Sequence, residues 1–264
     1  MLTSFTITAY LLSGLIFGVR LFSSRSVRLL PRSAGLAIGF AGVVLHALLL
    51  WSNLVSGTGV NLGFFNAFSL IAWTITLLLL LSALSKPVEN LGIVLLPMAA
   101  LAILLETRFS SIHLLNEDAS LGLTVHVLVS MLAYSLFTLA SVQSILLAIQ
   151  DHQLHHRHPG GFIRALPPLQ TMESLLFEMI GAGFFLLTLA LGSGFLFLDD
   201  MFAQRLVHKT VLSITAWIVF GMLLWGRYRF GWRGQKALIW TLSGFVVLML
   251  AYFGSKAVIE LVLA

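Results

Sequence analysis

Eight histidines and no cysteine set the chemistry this chain can offer. Without thiols there are no disulfides, no thiol redox steps and no cysteine-ligated metal. Imidazole is the side chain to follow. His126 lies in GLTVHVLVSMLAYS, Gly122 to Ser135, with no charged residue within three positions. Counting in fours from Gly122 gives His126, Ser130, Tyr134 and Thr138, a small and polar stripe on one helical face. An ionisable group in such a run faces a bundle interior rather than lipid. There, a neutral imidazole can ligate haem iron, or it can hydrogen-bond a carbonyl or hydroxyl on the next helix. His46 has a similar setting: Gly35, Gly39 and Gly42 precede it and Asn53 follows, while Asn66, Ser69 and Trp73 open the next apolar run. His208 stands beside Lys209 at the edge of another. The densest cluster is DHQLHHRHPGG. His152, His155 and His156 share one face if helical, and with Asp151 they could hold zinc or nickel. No second ligand group lies near in sequence and Arg157 sits among them, so a solvated loop is the expectation there.

The elements that must position these rings are membrane helices. The chain has 264 residues, 59% hydrophobic and 9% charged, with a mean hydropathy of +1.00. Soluble domains carry about 25% charged residues. A net charge of +5 does not point to nucleic acid, because the basic residues sit in short loops between apolar runs. About 20 mostly apolar residues cross a bilayer. Eight segments qualify: Phe5–Phe22, Ala34–Asn53, Leu62–Leu84, Leu91–Leu105, Leu121–Ile149, Phe177–Leu198, Val211–Trp225 and Ala237–Leu261. The fourth is short and contains Pro97; the sixth is glycine-rich (Gly181, Gly183, Gly192, Gly194), which suits close helix contact. The first is expected to be a retained span, since Arg20 follows it and no clear cleavage site is present. The predicted fold is all-α: a polytopic bundle of about eight transmembrane helices forming a single domain over residues 1–264.

Lys and Arg orient it. With both termini outside, eleven of the fifteen basic residues face inward, leaving Arg108, Arg205, Lys209 and Lys256 outside. His46, His126, His113 and His208 then fall in the outer half, and His152, His155, His156 and His158 in the longest inner loop. In a Gram-negative bacterium that outer face would be the periplasmic one.

Several co-linear motifs resemble the CcsA/HemX-like cytochrome c assembly membrane proteins. The stretch LPPLQTMESLLFEMIGAGFFLLTLALGSG is similar to the family's Pro-Pro-Leu, acidic, I-G-x-G-F-x-x-L-T-L-x-x-G-x-G pattern, through Pro167, Pro168, Leu169, Glu173, Ile180, Gly181, Gly183, Phe184, Leu187, Thr188, Leu189, Gly192 and Gly194. Trp217, then Trp232, Gly234 and Ala237, then Tyr252, Phe253 and Gly254 match later motifs. His126, Val127, Met131 and Tyr134 match the family's H-V-x-x-M-x-x-Y segment, which supplies a haem-iron ligand at the outer face. The resemblance therefore implies His126 as an axial ligand. There are departures. The outer loop that carries a tryptophan-rich signature in the family reads LDDMFAQRLVHKT here, with only Lys209 echoing it. Trp225 stands where the family has a histidine, and no histidine follows Gly254.

What the resemblance implies is a haem-handling inner-membrane protein related to cytochrome c-type biogenesis, one that binds and relays rather than turning over. His126 and His208 would be a substitute pair of iron ligands and His46 a reserve. Trp73 and Tyr134 would line the ring, and Arg205 and Lys209 would meet the propionates. The alternative is a non-haem accessory subunit that docks another membrane protein, with ion homeostasis as one setting for it. A transporter is disfavoured, since the acidic residues lie near span ends and no inverted repeat is visible. No catalytic constellation is visible, so an enzyme is not expected. The expected partners are the lipid bilayer, haem and another membrane protein, and no nucleic acid.

Overall fold

The computed structural model describes residues 1–22, 30–56, 59–61, 63–109, 114–115, 121–155, 163, 165–197 and 207–254. Among these, eight helices are long and apolar enough to cross a membrane. They are α1 (Leu2–Phe22), α2 (Arg32–Leu54), α3 (Phe64–Ser85), α4 (Gly92–Arg108), α5 (Leu121–His155), α6 (Leu169–Phe197), α7 (Val207–Phe230) and α8 (Gln235–Met249). A 3₁₀ turn, Glu89–Leu91, leads into α4, and a π turn, Leu250–Gly254, extends α8. The fold is all-helical, as expected, apart from three strand segments of two or three residues. In these, Val55–Ser56 pairs antiparallel with Gly59–Asn61, which pairs with Leu114–Leu115.

The chain divides into two compact units: residues 1–118 with 159–167, and residues 119–158 with 168–264. In the first, α1 packs on α2 and α4, and α3 packs on the same two, closing a four-helix ring. In the second, α5 packs on α6 and α8, and α7 on the same two. Small residues let the helices close. A Cβ on Gly42 would stand 2.8 Å from the Tyr10 ring and one on Gly35 2.6 Å from that of Phe17, so the glycine stripe of α2 is the seat for α1. Tyr10, Phe17, Val43, Leu80 and Leu96 form the centre of this unit. In the second unit Phe137 of α5 and Phe220 of α7 stack at 3.8 Å, with Gly183 and Gly244 making room for their rings. The α6 glycines thus behave unequally: Gly183 meets Phe137, whereas a Cβ on Gly181 or Gly192 would meet nothing within 4 Å.

Three helices clearly outrun their expected spans, among them α7, which runs Val207–Phe230 rather than Val211–Trp225. α6 starts at Leu169, not Phe177, directly after Pro167 and Pro168; the Met172 amide bonds the Pro168 carbonyl at 3.1 Å. A carboxylate inside the new first turns is tolerated because Arg227 of α7 reaches Glu173 at 2.7 Å. α5 continues past Ile149 to His155, with Gln150 buried and Asp151 and His155 closing the last turn. The first unit carries a similar clamp, in which Arg32 of α2 pairs with Glu89 at 3.1 Å and donates to the carbonyls of Ala83 and Lys86.

Candidate functional site

His126 sits in the second turn of α5, half-buried, while Val125 and Leu128 on the opposite side are exposed. Further along the same stripe, Tyr134 and Thr138 are buried, so this face turns toward protein. The ring's Nδ1 lies 2.9 Å from the carbonyl oxygen of Ala190 and 3.2 Å from Ser193 Oγ, both on α6. A carbonyl only accepts, so Nδ1 carries the hydrogen and Nε2 presents a lone pair in the neutral ring. Nε2 has no hydrogen-bond partner among the described residues. This is the arrangement of a ligating imidazole, whose far nitrogen is held by a backbone carbonyl that fixes tautomer and ring orientation. It is equally a complete interhelical contact in its own right.

Two turns on, Tyr134 enters an aromatic cluster with Phe245, Tyr252 and Phe253, at centroid distances of 5.6, 6.2 and 5.7 Å. Separate sequence motifs therefore meet in space. Phe184 stacks on Trp217 at 5.4 Å, and the Trp217 indole donates to Thr188 Oγ1 at 2.9 Å. Trp232 folds back over Gly226, where any Cβ would stand 2.4 Å from its ring.

His46 contrasts with this. It lies in the first unit and is wholly buried. Nδ1 is 3.1 Å from the Tyr10 hydroxyl and Nε2 is 2.9 Å from Ser69 Oγ; Tyr10 in turn is 3.2 Å from Thr76 Oγ1. Both ring nitrogens are engaged, and the flanking hydroxyls can donate or accept to suit either tautomer. Trp73, in the same unit, is half-buried and donates to the Val43 carbonyl at 2.9 Å. Tyr10 and Thr76 were not singled out in the sequence; a tyrosine in a first span and a threonine in a third carry no signal until α1, α2 and α3 are packed.

His208 and Lys209 occupy the first turn of α7, in the same unit as His126 and Tyr134; His208 is exposed and Lys209 half-buried. Arg205 lies outside the described residues, as do His113, His156 and His158. In the histidine-rich stretch His155 bonds back to Asp151, its Nδ1 2.9 Å from the Asp151 carbonyl oxygen. Among the described residues no group of three or more His, Asp or Glu is placed to hold a metal ion.

Residues 35–263 match the family described as "Cytochrome C assembly protein". The chain is 33% identical to "Inner membrane protein YpjD" of Escherichia coli K12 over 83% of its own length and 84% of that protein's. It is 30% identical to an uncharacterized 28.8 kDa protein of Azospirillum brasilense, over 86% and 84%. With "Cytochrome c biogenesis protein CcsA" of Prochlorococcus marinus it shares 27% identity, over 83% and 79%. No solved structure matches it.

Proposed function

Because the chain belongs to the cytochrome c assembly protein family, we propose that this integral membrane protein handles haem in the bacterial inner membrane, with His126 as an iron ligand. Membership and the eight apolar helices carry the membrane assignment. The inner membrane follows from the relative named for it. The observation that favours haem is the His126 ring itself: one nitrogen is held by the Ala190 carbonyl and the other is left with a lone pair. Haem, when bound, supplies an iron that takes such a lone pair. This chain's residues do the rest. The α6 carbonyl keeps Nδ1 protonated and the ring fixed, and the aromatic cluster around Tyr134 excludes water beneath it. His208 is our candidate second ligand, and Lys209 and Arg205 the candidate propionate partners. His46 drops from the reserve, because a ring with both nitrogens bonded must break a buried contact before it can ligate.

The orientation we adopt has both termini outside, which gathers most of the basic residues inside and puts His126 near the outer face. The protein carries no thiol, so reduction of an apocytochrome needs another protein.

The test is an absorption spectrum of full-length protein purified in mild detergent from haem-replete cells. A Soret band that His126→Ala abolishes and His46→Ala leaves in the folded fraction supports the proposal. A colourless wild-type protein that is monodisperse and helical sinks it, and favours the accessory-subunit reading. The altered loop before α7, which lacks the tryptophans of the family signature, already speaks for that reading.

A further inference from the structure

The second unit holds a cavity of about 590 Å³ at the end opposite His126, where α5 and α7 finish and α6 and α8 begin. Its polar wall is Asp151, His155, Gln170, Glu173, Arg227 and Arg233, and Leu147 and Leu169 add an apolar side. Its carboxylates and guanidiniums, two of each, balance. They are unequally engaged. Glu173 and Arg227 are spent on each other at 2.7 Å, and Arg227 also donates to the Trp232 carbonyl at 3.2 Å and covers the Phe177 ring at 4.6 Å. Among the described residues Asp151 pairs with His155, at 3.3 Å. Arg233 is exposed and has no ion-pair or hydrogen-bond partner among the described residues. The two lie close together. A Cβ on Gly234, the neighbour of Arg233, would be 4.0 Å from Asp151 Oδ2. They nevertheless form no salt bridge with one another.

An anion and a cation held side by side, unpaired with each other, in a cavity of no net charge complement a ligand with both signs. A polyanion gains little there, because Asp151 and Glu173 oppose it. The level matters too: these are the ends of four membrane spans, where lipid headgroups lie. We infer that this cavity seats the headgroup of a zwitterionic phospholipid with a free ammonium, its phosphate on Arg233 and its ammonium on Asp151, the acyl chains leaving past Leu147 and Leu169. The Arg227–Glu173 pair braces the floor. Gly234, at φ +56° and ψ −130°, sets the turn that carries Arg233, a backbone state that favours glycine.

Native mass spectrometry of the full-length, detergent-purified protein tests this. Phosphatidylethanolamine, phosphatidylglycerol and phosphatidylcholine with identical acyl chains are titrated in turn. Phosphatidylethanolamine should be retained about tenfold more tightly than phosphatidylglycerol, which lacks the ammonium, the worth of one charge-assisted hydrogen bond. Phosphatidylcholine, whose nitrogen donates no hydrogen bond, should also bind more weakly. Asp151→Asn should erase the preference, and Arg233→Gln, which removes the phosphate contact that all three lipids share, should weaken retention of each while leaving their order, with unfolding temperature and elution volume unchanged for both. If a variant does not fold, the wild-type ranking of the three lipids decides alone. Equal retention of all three, or a preference for phosphatidylglycerol, overturns the inference. A separate arm adds glycerophosphoethanolamine. Failure of a hundredfold excess to displace the lipid supports the membrane source, whereas binding of the free headgroup as tightly as the lipid overturns a lipid occupant.

Discussion

His46 and His126 look alike in the sequence, and the molecule uses them differently. Each is a lone imidazole in an apolar run, preceded by small residues on its own helical face. In the first unit two neighbouring helices supply hydroxyls, Tyr10 from α1 and Ser69 and Thr76 from α3, and these close around His46 until both nitrogens are engaged. In the second unit a single helix, α6, supplies one carbonyl and one hydroxyl, and both address the same nitrogen. The first ring is a knot that ties helices together. The second is held on one side and open on the other. A histidine's role inside a membrane is thus set less by its own helix than by how many neighbours reach it, and from how many sides.

The sharpest way to break this comparison is to remove the knot. His46→Ala leaves a cavity in a fully buried site and strips Tyr10 and Ser69 of a partner. Cavity and lost hydrogen bonds together should cost about 2–4 kcal/mol, read as a large fall in thermal unfolding temperature in detergent. If His46→Ala is as stable as wild type but loses a haem spectrum, the roles assigned to the two rings are reversed. Next in size is the seat beneath that knot. Gly42→Ala drives a methyl to 2.8 Å from the Tyr10 ring and should cost about 1–3 kcal/mol through overpacking. Gly192→Ala, with nothing within 4 Å, should be neutral or stabilise by about 0.5–1 kcal/mol through helix propensity. Equal unfolding temperatures for the two variants would mean that the glycines of α2 do not seat α1.

The contrast also marks what could be read beforehand. Eight spans were legible because a bilayer demands long apolar runs, and the small-residue face on α2 was legible because Gly35, Gly39 and Gly42 repeat at helical spacing. The start of α6 was misplaced to Phe177 because Glu173 reads as a terminator. Its partner, Arg227, lies 54 residues away and becomes visible only on packing. For the same reason the polar face of α5 was visible but its partner was not, since Ala190 acts through its backbone, which no side-chain pattern reports. The His46 knot joins positions 36 and 66 residues apart, beyond any local periodicity. Glycine content alone overstated the contact made by α6, because composition does not say which glycines face a neighbour.

Two smaller effects sharpen the picture of the open ring. His126→Ala removes one half-exposed contact to α6 and should lower stability by about 1 kcal/mol or less, near the average for hydrogen bonds between membrane helices. Its main consequence should be spectral, through loss of the proposed iron ligand. Ser193→Ala is subtler. The hydroxyl lies 3.2 Å from Nδ1 while donating to the same Ala190 carbonyl at 2.9 Å, so it competes with the imidazole for one acceptor as well as bracing it. Without it, Nδ1–H keeps the carbonyl to itself. Stability should change by about 0.5 kcal/mol or less, yet the stronger bond to Nδ1 raises the basicity of Nε2. A haem held there should keep its Soret band with a shifted maximum. If Ser193→Ala instead bleaches the protein as completely as His126→Ala, the serine rather than the carbonyl fixes the ring. The backbone would then lose its place in the argument for His126.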